Sequence, residues 1–327
     1  FDSCVDYSSS PAWCGNYDDD DFSSNVMCCA CKPIERGPAT CEDGDADGFG
    51  CLGVDLESWT PIARLGPSAS RPSLTNDNWG WTSAEGREWA LQCADNGVAF
   101  VDLGCPSCDP PVAAAEAVED FVETATWRSD WRDVKVYDHY AIIVSETSHH
   151  GLQVFDLRRL ADEDPAGGLY AADAHYDGFG DAHNLVVDEE SATLWAVGTY
   201  MCGGGLYALD LSDPAAPAFA GCTWDETYVH DAQCVIYRGP DVEHRGKEIC
   251  VLYTVTRWVY IVDATDLAAG KLLGSVKNTA KGTGATHQGW LNCGQDAIIF
   301  GDEDDEPGAL GTYRTFVADI SDLDDPK

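Results

Sequence analysis

Three histidines in the second half of the chain have a spacing that suggests a shared site. His183, His230 and His287 stand about 50 residues apart, and a polar residue follows each of them. Neutral imidazoles together with carboxylates suit zinc, whereas carboxylates with amide oxygens suit calcium. Residues so distant in sequence can share a site only if a repeating fold brings the chain back to the same place each time.

The sequence contains such a repeat. A short alternating apolar run ends in aspartate five times, with spacings of 54, 54, 53 and 56 residues. The five aspartates are Asp102, Asp156, Asp210, Asp263 and Asp319. The third repeat, 183–224, divides into four short strand-like segments, a pattern typical of propeller blades. We predict an all-β fold, a β-propeller of four-stranded blades with five visible repeats over 41–327. Whether the ring is incomplete at its C-terminal end stays open.

The first strand of each propeller blade lines the central channel, so its start lies at one mouth of that channel. The three histidines fall at this start in successive repeats, and Arg132 and Asp133 take the matching place in the repeat before them. The candidate ligands of a divalent metal, calcium or zinc, are His183, His230, His287, Asp133, Asp231, Glu146, Asp302 and Glu303. The alternative, which we favour, is that these groups hydrogen-bond to one another and to channel waters as a polar, non-catalytic ring.

A second candidate cation site is an acidic loop near the N-terminus. Asp43, Asp45 and Asp47 precede Gly48 with the spacing that opens an EF-hand calcium loop. The twelfth position of that loop, where a bidentate glutamate is required, is Val54. Because Cys41 and Cys51 bracket the segment, we favour an acidic disulfide loop over a calcium site.

The 15 cysteines indicate an oxidising compartment. None of them forms the paired CxxC pattern of a zinc ribbon, since Cys105 and Cys108 stand alone. We predict the disulfides Cys41–Cys51, Cys202–Cys222 and Cys234–Cys250. Residues 1–40 hold five further cysteines and little hydrophobic periodicity, so we interpret them as a separate module held by disulfides.

The charge balance excludes several classes of partner. The chain has 57 acidic against 19 basic residues, a formal net charge of −38, which disfavours nucleic acid and anionic membranes. No apolar run approaches the length of a membrane span, so direct membrane insertion is not expected. The sequence opens at Phe1 without a leader, and we interpret it as a mature chain that is secreted or held at the cell surface. The expected partner is an extracellular protein or a cell-surface assembly.

The repeats also contain motifs of a known family. They are NWGWTS (78–83), WRDVKVY (131–137), HYDGFGDAHNLVVDEES (175–191), HDAQCVIYRGPD (230–241), GKEIC (246–250) and THQGW (286–290). With these motifs, residues 41–327 resemble the choice-of-anchor B family, and the resemblance implies LVIVD-type propeller repeats and association with cell surfaces. Members usually have at least one more repeat, so processing, truncation or a smaller ring are all open. The motifs at 13–22 and 28–31 resemble a cysteine-rich module of secreted algal and protist proteins.

Two functions follow from these observations. The first, which we favour, is an extracellular binding or structural interaction module without catalytic activity. The alternative is a metal-dependent hydrolase, similar to a lactonase or esterase, with its site at the channel mouth. The sequence contains no GxSxG elbow, HExxH helix or phosphate-binding glycine loop.

Overall fold

A computed structural model describes most of the chain. The described residues are 38–66, 72–105, 107–108, 120–162, 168–279, 284–303 and 314–327. Their contacts divide the chain into two compact units, Phe1–Leu65 with Glu116–Val118 and Gly66–Ala115 with Glu119–Lys327. Apart from its last three residues, the cysteine-rich module predicted at 1–40 lies outside the described residues.

The described part of the first unit is a short segment cross-linked by one disulfide. Strands β1 (Asp45–Ala46) and β2 (Phe49–Gly50) pair as a hairpin, and the Cys41–Cys51 bridge closes the loop around them. A short 3-10 helix spans Ile62–Arg64.

The contacts place the boundary between the two units at Leu65, and the domain boundary predicted at residue 40 stays a prediction. Segment 41–65 groups with the residues before it because its backbone pairs with them: Ala39 and Leu56 form a two-way bridge. The amide of Cys41 also donates to Asp55 Oδ1 at 2.8 Å. These bonds hold the segment as an irregular extension of the first unit.

In the described residues, the second unit contains five sheets in chain order, each built on antiparallel strands that are neighbours in sequence. The first sheet contains β3 (Thr75–Thr82), β4 (Glu88–Ala94), β5 (Gly97–Gly104) and β6 (Phe121–Glu123). The second contains β7 (Arg132–Tyr137), β8 (Tyr140–Ser145) and β9 (Leu152–Asp156), followed after helix α1 (Arg159–Asp162) and strand β10 (Leu169–Tyr170) by β11 (Ala174–Tyr176). Strand β10 leaves the second sheet and pairs in parallel with β6, at the edge of the first.

The remaining three sheets repeat the same meander. The third contains β12 (Asn184–Asp188), β13 (Thr193–Val197), β14 (Leu206–Asp210) and β15 (Ala218–Trp224), with a 3-10 turn at Met201–Gly204 before β14. The fourth contains β16 (Asp231–Ile236), β17 (Glu248–Tyr253), β18 (Trp258–Asp263) and β19 (Lys271–Lys277). The fifth contains β20 (Thr286–Leu291), β21 (Ala297–Asp302) and β22 (Thr315–Asp319).

The first strands of all five sheets surround one central cavity of about 400 Å³. Each contributes to its wall, with Asp77, Lys135, Leu185, Asp231 and Gln288 as one residue from each strand. Successive blades arranged radially around such a channel are the architecture of a β-propeller. The predicted fold class is therefore confirmed for the second unit.

Neighbouring blades pack through apolar clusters because the middle strands are apolar on both faces. In β8, Ile143 belongs to the cluster with Trp89 of the first blade, while Ile142 belongs to the cluster with Leu185 of the third. Successive side chains of a strand point to opposite faces, so a continuous apolar run fills two interfaces at once. Equivalent clusters join the third blade to the fourth and the fourth to the fifth.

The junction between the fifth and first blades is different. Trp79 of β3 stacks on Trp290 of β20 with ring centroids 6.2 Å apart. Farther out on the fifth sheet, Ile299 and Val317 are exposed, at 44% and 70%. The fifth and first blades therefore meet beside the channel. Among the described residues, this junction has no buried apolar cluster like those at the other four junctions between blades.

The repeated aspartates occupy equivalent positions at the end of the third strand of each blade. Each carboxylate accepts a hydrogen bond from the backbone N–H two residues later, at 2.7–3.2 Å. This Asx turn lets the side chain replace a backbone acceptor as the strand ends, which is why aspartate recurs at this period.

All three predicted disulfides are present. Cys202 in the 3-10 turn joins Cys222 in β15, and Cys234 of β16 joins Cys250, its direct partner on β17. Cys105 and Cys108, which the sequence showed only as an isolated CxxC, form a further bridge. Among the described residues, Cys93 is buried and Cys293 exposed as free thiols.

The Asx turn of the first blade provides a test of this repeat. Asp102 accepts from Gly104 N at 2.8 Å and from Arg87 Nε at 2.9 Å, and it is largely buried. We expect Asp102→Ala to lower the free energy of unfolding by about 2 kcal/mol, because it leaves two donors without their acceptor. Asp102→Asn, which keeps a turn acceptor, should cost less. Denaturant unfolding measures both, and equal losses would contradict the turn as the cause.

Candidate functional site

The three histidines meet at one mouth of the channel. His183 and His230 directly precede β12 and β16, and His287 is the second residue of β20. The ring centroids of His183 and His230 are 4.0 Å apart, and those of His230 and His287 are 4.6 Å apart. The sequence-based expectation of a histidine ring is therefore realised in the geometry.

Hydrogen bonds determine which nitrogen of these rings is available. His183 Nδ1 lies 2.5 Å from Glu146 Oε1, and His230 Nδ1 lies 3.2 Å from the carbonyl oxygen of His287. Both Nδ1 atoms thus face acceptors and hold the proton, which directs the Nε2 lone pairs to the mouth. Histidines that bind metals are usually oriented in this way.

A potential metal-binding group lies within this mouth. His230, His287 and Glu303 bring one ligand atom each within 4.8 Å of one another. Glu303 Oε1 is 3.8 Å from His287 Nε2. Two imidazoles and one carboxylate are a ligand set that suits zinc.

The electrostatic environment keeps the central imidazole neutral. Burial, followed by the neighbouring His183 and His287, lowers the pKa of His230 to about 3. A neutral imidazole is the form that binds a metal, so no proton has to be displaced from His230 Nε2 at neutral pH.

Three of the eight predicted ligands lie away from the mouth. Asp133 and Asp231 stand one residue further along their strands than the histidine position, and alternation turns them from the histidines. Asp231 lines the central cavity. Asp133 is fully buried and accepts from Lys135 Nζ at 2.6 Å and Leu185 N at 2.7 Å. Asp302 accepts from Asn278 Nδ2 at 2.9 Å and Ala285 N at 3.0 Å, so both of its oxygens hold backbone or side-chain donors.

The channel itself contains a cluster of three carboxylates and one ammonium. Lys135 Nζ bonds Asp133, lies 3.9 Å from Asp77 Oδ2 and sits 4.8 Å from the centroid of the Trp79 ring. Desolvation raises the pKa of Asp231 to about 7, and burial together with Asp133 raises the pKa of Asp77. Asp77 was not among the site residues predicted from the sequence. The order Asn-Asp-x-Trp at 76–79, matched against His-Gln-x-Trp at 287–290, was the signal that could have identified it.

The acidic loop adopts a tight conformation. Asp43 and Asp47 both have positive φ, and Gly48 N donates to Asp45 Oδ1 at 2.9 Å. In the described segment 38–66, no three acidic side chains bring their oxygens within 4.8 Å of one another. The disulfide loop is present as favoured, and calcium binding there stays a prediction.

A second histidine–carboxylate group was not predicted. His244 is buried, with Nε2 2.9 Å from Asp324 Oδ2 and 3.9 Å from Asp241 Oδ2, and Lys247 Nζ 3.2 Å from its Nδ1. The lysine ammonium donates to Nδ1, so Nε2 carries the proton that goes to Asp324. The group connects the last residues of the fifth blade to the 238–247 loop. His244 and Asp324 are about 80 residues apart in sequence, so no local pattern signals their contact.

Buried polar groups also support the mouth on the side of the second blade. Arg132, which takes the histidine position of that blade, is buried and donates to Ala94 O and Thr124 Oγ1, both at 3.0 Å. His150 is fully buried, with Nδ1 3.0 Å from Thr126 Oγ1. Burial, followed by the charge of Arg132, lowers the pKa of His150 to about 3.

Comparisons with known proteins found similar solved structures but no family. No protein-family model matches the chain, and no curated protein matches it. Solved structures that are similar include the β-propeller domain of a Myceliophteria thermophila protein, with a TM-score of 0.40 and 10% identity over 73% of this chain and 63% of that one. A second is the extracellular domain of a putative one-component system of B. thetaiotaomicron, with a TM-score of 0.43 and 12% identity over 76% of this chain and 28% of that one.

A third similar structure is a putative 6-phosphogluconolactonase of Bacteroides fragilis, with a TM-score of 0.46 and 10% identity over 86% of this chain and 79% of that one. The chain spans less than two thirds of the length of the first two. By its own sheets and channel, the second unit is a β-propeller, with five blades among the described residues. Among the described residues, no helix is long and apolar enough to cross a membrane.

The buried His150 predicts a pH dependence of stability. Its folded pKa lies below the ordinary value of 6.5, so the folded state binds fewer protons than the unfolded chain between about pH 6.5 and pH 3. Stability is therefore present above this window and is lost as the pH falls through it, by about 1.4 kcal/mol per pH unit for this group. We expect His150→Gln, which can still bond Thr126, to show a slope shallower by one proton. Urea unfolding at pH 6, 5 and 4 measures the slopes, and parallel curves would contradict the assignment.

Proposed function

We propose that this chain is a secreted or cell-surface propeller of the choice-of-anchor B type, an extracellular binding module that meets its partner at the histidine mouth. The disulfides favour an oxidising compartment. Two of the motifs that resemble the family contain His230 and His287, so each of these motifs contributes a residue to the mouth.

The observation that carries this proposal is the exposure of aromatic side chains around the mouth. Trp127 is 85% exposed in the loop that enters β7, and Tyr200 is 90% exposed in the connection between β13 and β14. Both loops lie at the same end of their blades as the histidines. Trp131, Met201 and Tyr228, on the same loops or the next, are also partly exposed. Tryptophan and tyrosine are the residues most enriched at the centres of protein interfaces.

A cleft beside the histidines indicates the charge of the partner. It has a volume of about 320 Å³ and is lined by Glu146, Asp181, Tyr200 and Tyr228 among others. Among the described residues that line it, none is basic. Carboxylates combined with tyrosine rings favour a lysine or arginine side chain, in agreement with the strongly negative charge of the chain.

Binding to cell-surface material tests this interaction face. We expect the double variant Trp127→Ala, Tyr200→Ala to reduce binding of the labelled protein to intact cells of its source by at least about tenfold, since hot-spot aromatics each contribute more than about 1 kcal/mol. The matched control is Val242→Ala, Leu272→Ala, two exposed apolar residues at the opposite end of the blades. Equal loss in both doubles, or loss in neither, would reject the mouth as the interface.

A metal-dependent hydrolase is the second candidate, favoured by the group His230, His287 and Glu303. Three protein ligands leave an open position at zinc, where the metal would acidify a bound water. The role of this chain's residues would be to hold the metal through the imidazoles of His230 and His287 and the carboxylate of Glu303, with Glu146 orienting His183 beside it.

Zinc binding and turnover separate these two functions. We expect the wild-type protein to bind zinc in equilibrium dialysis and His230→Ala to lose it with the fold intact. The control His149→Asn changes an exposed histidine with positive φ to a residue that tolerates that conformation, and it should retain zinc. Ester or lactone hydrolysis lost only in His230→Ala would establish the hydrolase, whereas bound zinc without turnover favours the binding module. A wild-type protein that binds no zinc would leave the ring as a polar plug.

A further inference from the structure

Two buried carboxyls face each other at the opposite end of the channel. Asp188 is the last residue of β12 in the third blade, and Glu248 is the first residue of β17 in the fourth. They are only 8% and 5% exposed, and their carboxyl groups are in contact. Asp188 also lines the central cavity, so the pair lies where two blades and the channel meet.

Each of these carboxyls has an oxygen without a partner. Asp188 Oδ1 accepts from Glu190 N at 2.9 Å, but Asp188 Oδ2 is buried and bonds no donor among the described residues. Glu248 Oε1 is likewise buried without a donor, while Ser191 is the hydroxyl in contact with this side chain. A buried ionised oxygen that has lost its water without gaining a donor is strongly unfavourable.

The nearest basic residues are engaged elsewhere. Arg238 Nη2 pairs with Glu190 at 2.6 Å, and Lys247 Nζ pairs with Asp263 at 3.1 Å. Among the described residues, no lysine or arginine forms an ion pair with Asp188 or Glu248. Burial and the contact with Asp188 raise the pKa of Glu248 to about 8, which expresses the same lack of a compensating positive charge.

We propose that Asp188 and Glu248 bind a divalent cation of the calcium type, which bridges the third and fourth blades at the end of the channel opposite the histidines. The unpartnered atoms are carboxylate oxygens, the ligands that hard cations prefer. The Ser191 hydroxyl, backbone carbonyls and water are available to complete the shell. The cavity that Asp188 lines provides the entry path. This site does not depend on the proposed function of the mouth.

Calcium-dependent unfolding of the full chain tests the site. After treatment with a chelating resin, the melting temperature of the wild-type protein should rise with added calcium to a plateau, and equilibrium dialysis should count the bound ions. Asp188→Asn and Glu248→Gln should each weaken this response at least tenfold and remove one bound ion. In Glu248→Gln the new amide can donate to Asp188 Oδ2, so without calcium this variant should melt above the wild-type protein.

Two controls distinguish this site from the other acidic groups. Asp43→Asn in the acidic loop and Glu303→Gln at the histidine mouth should both retain the full calcium response. A wild-type protein indifferent to calcium would overturn the proposal and assign a shared proton to the pair. A response that survives in Glu248→Gln and disappears in Asp43→Asn or Glu303→Gln would also overturn it.

Discussion

Burial of both faces of each blade is the constraint on which the rest of the propeller depends. Ile142 and Ile143 show it within one strand, because each fills the interface with a different neighbouring blade. Polar side chains are thereby excluded from the interfaces and are placed at strand ends and along the first strands. Among the described residues, the fifth and first blades meet near the channel, where Trp79 stacks on Trp290, and they share no buried apolar cluster. The channel is thus polar because the apolar residues fill the interfaces between the blades.

Polar groups buried beside the channel need hydrogen-bond partners. Asp133 meets this demand with Lys135 and a backbone amide of the next blade. Arg132 meets it with a carbonyl of the first blade. His230 meets it differently, by staying neutral between two other imidazoles. Each solution crosses a blade boundary, so the same bonds that satisfy the polar groups also fix the blades against one another.

Features that repeat along the sequence were predictable, and contacts between repeats were not. The recurring aspartates and the histidine ring follow from a nearly constant period, since each blade uses its residues in the same way. The three disulfides follow from the local spacing of their cysteines. A one-residue step along a strand turns a side chain to another surface, so the repeat alone does not determine which surface Asp133 and Asp231 face. The Asp188–Glu248 pair depends on how the third blade is placed against the fourth. The His244–Asp324 pair depends on where the C-terminal segment returns to the 238–247 loop. No periodic signal encodes these contacts.

The two ends of the channel differ in donor chemistry, and this difference has a physical consequence. The mouth presents imidazole nitrogens, which suit borderline metals such as zinc. The far end presents only oxygens, which suit calcium. Between the two ends, the ammonium group of Lys135 lies beside the carboxylates of Asp133 and Asp77. The carboxylates in the middle of the channel are therefore already partnered by a cation of the chain, and they separate the two ends. The two ends are expected to bind their ions independently, each by its own ligand type, rather than to compete for one ion along a continuous path.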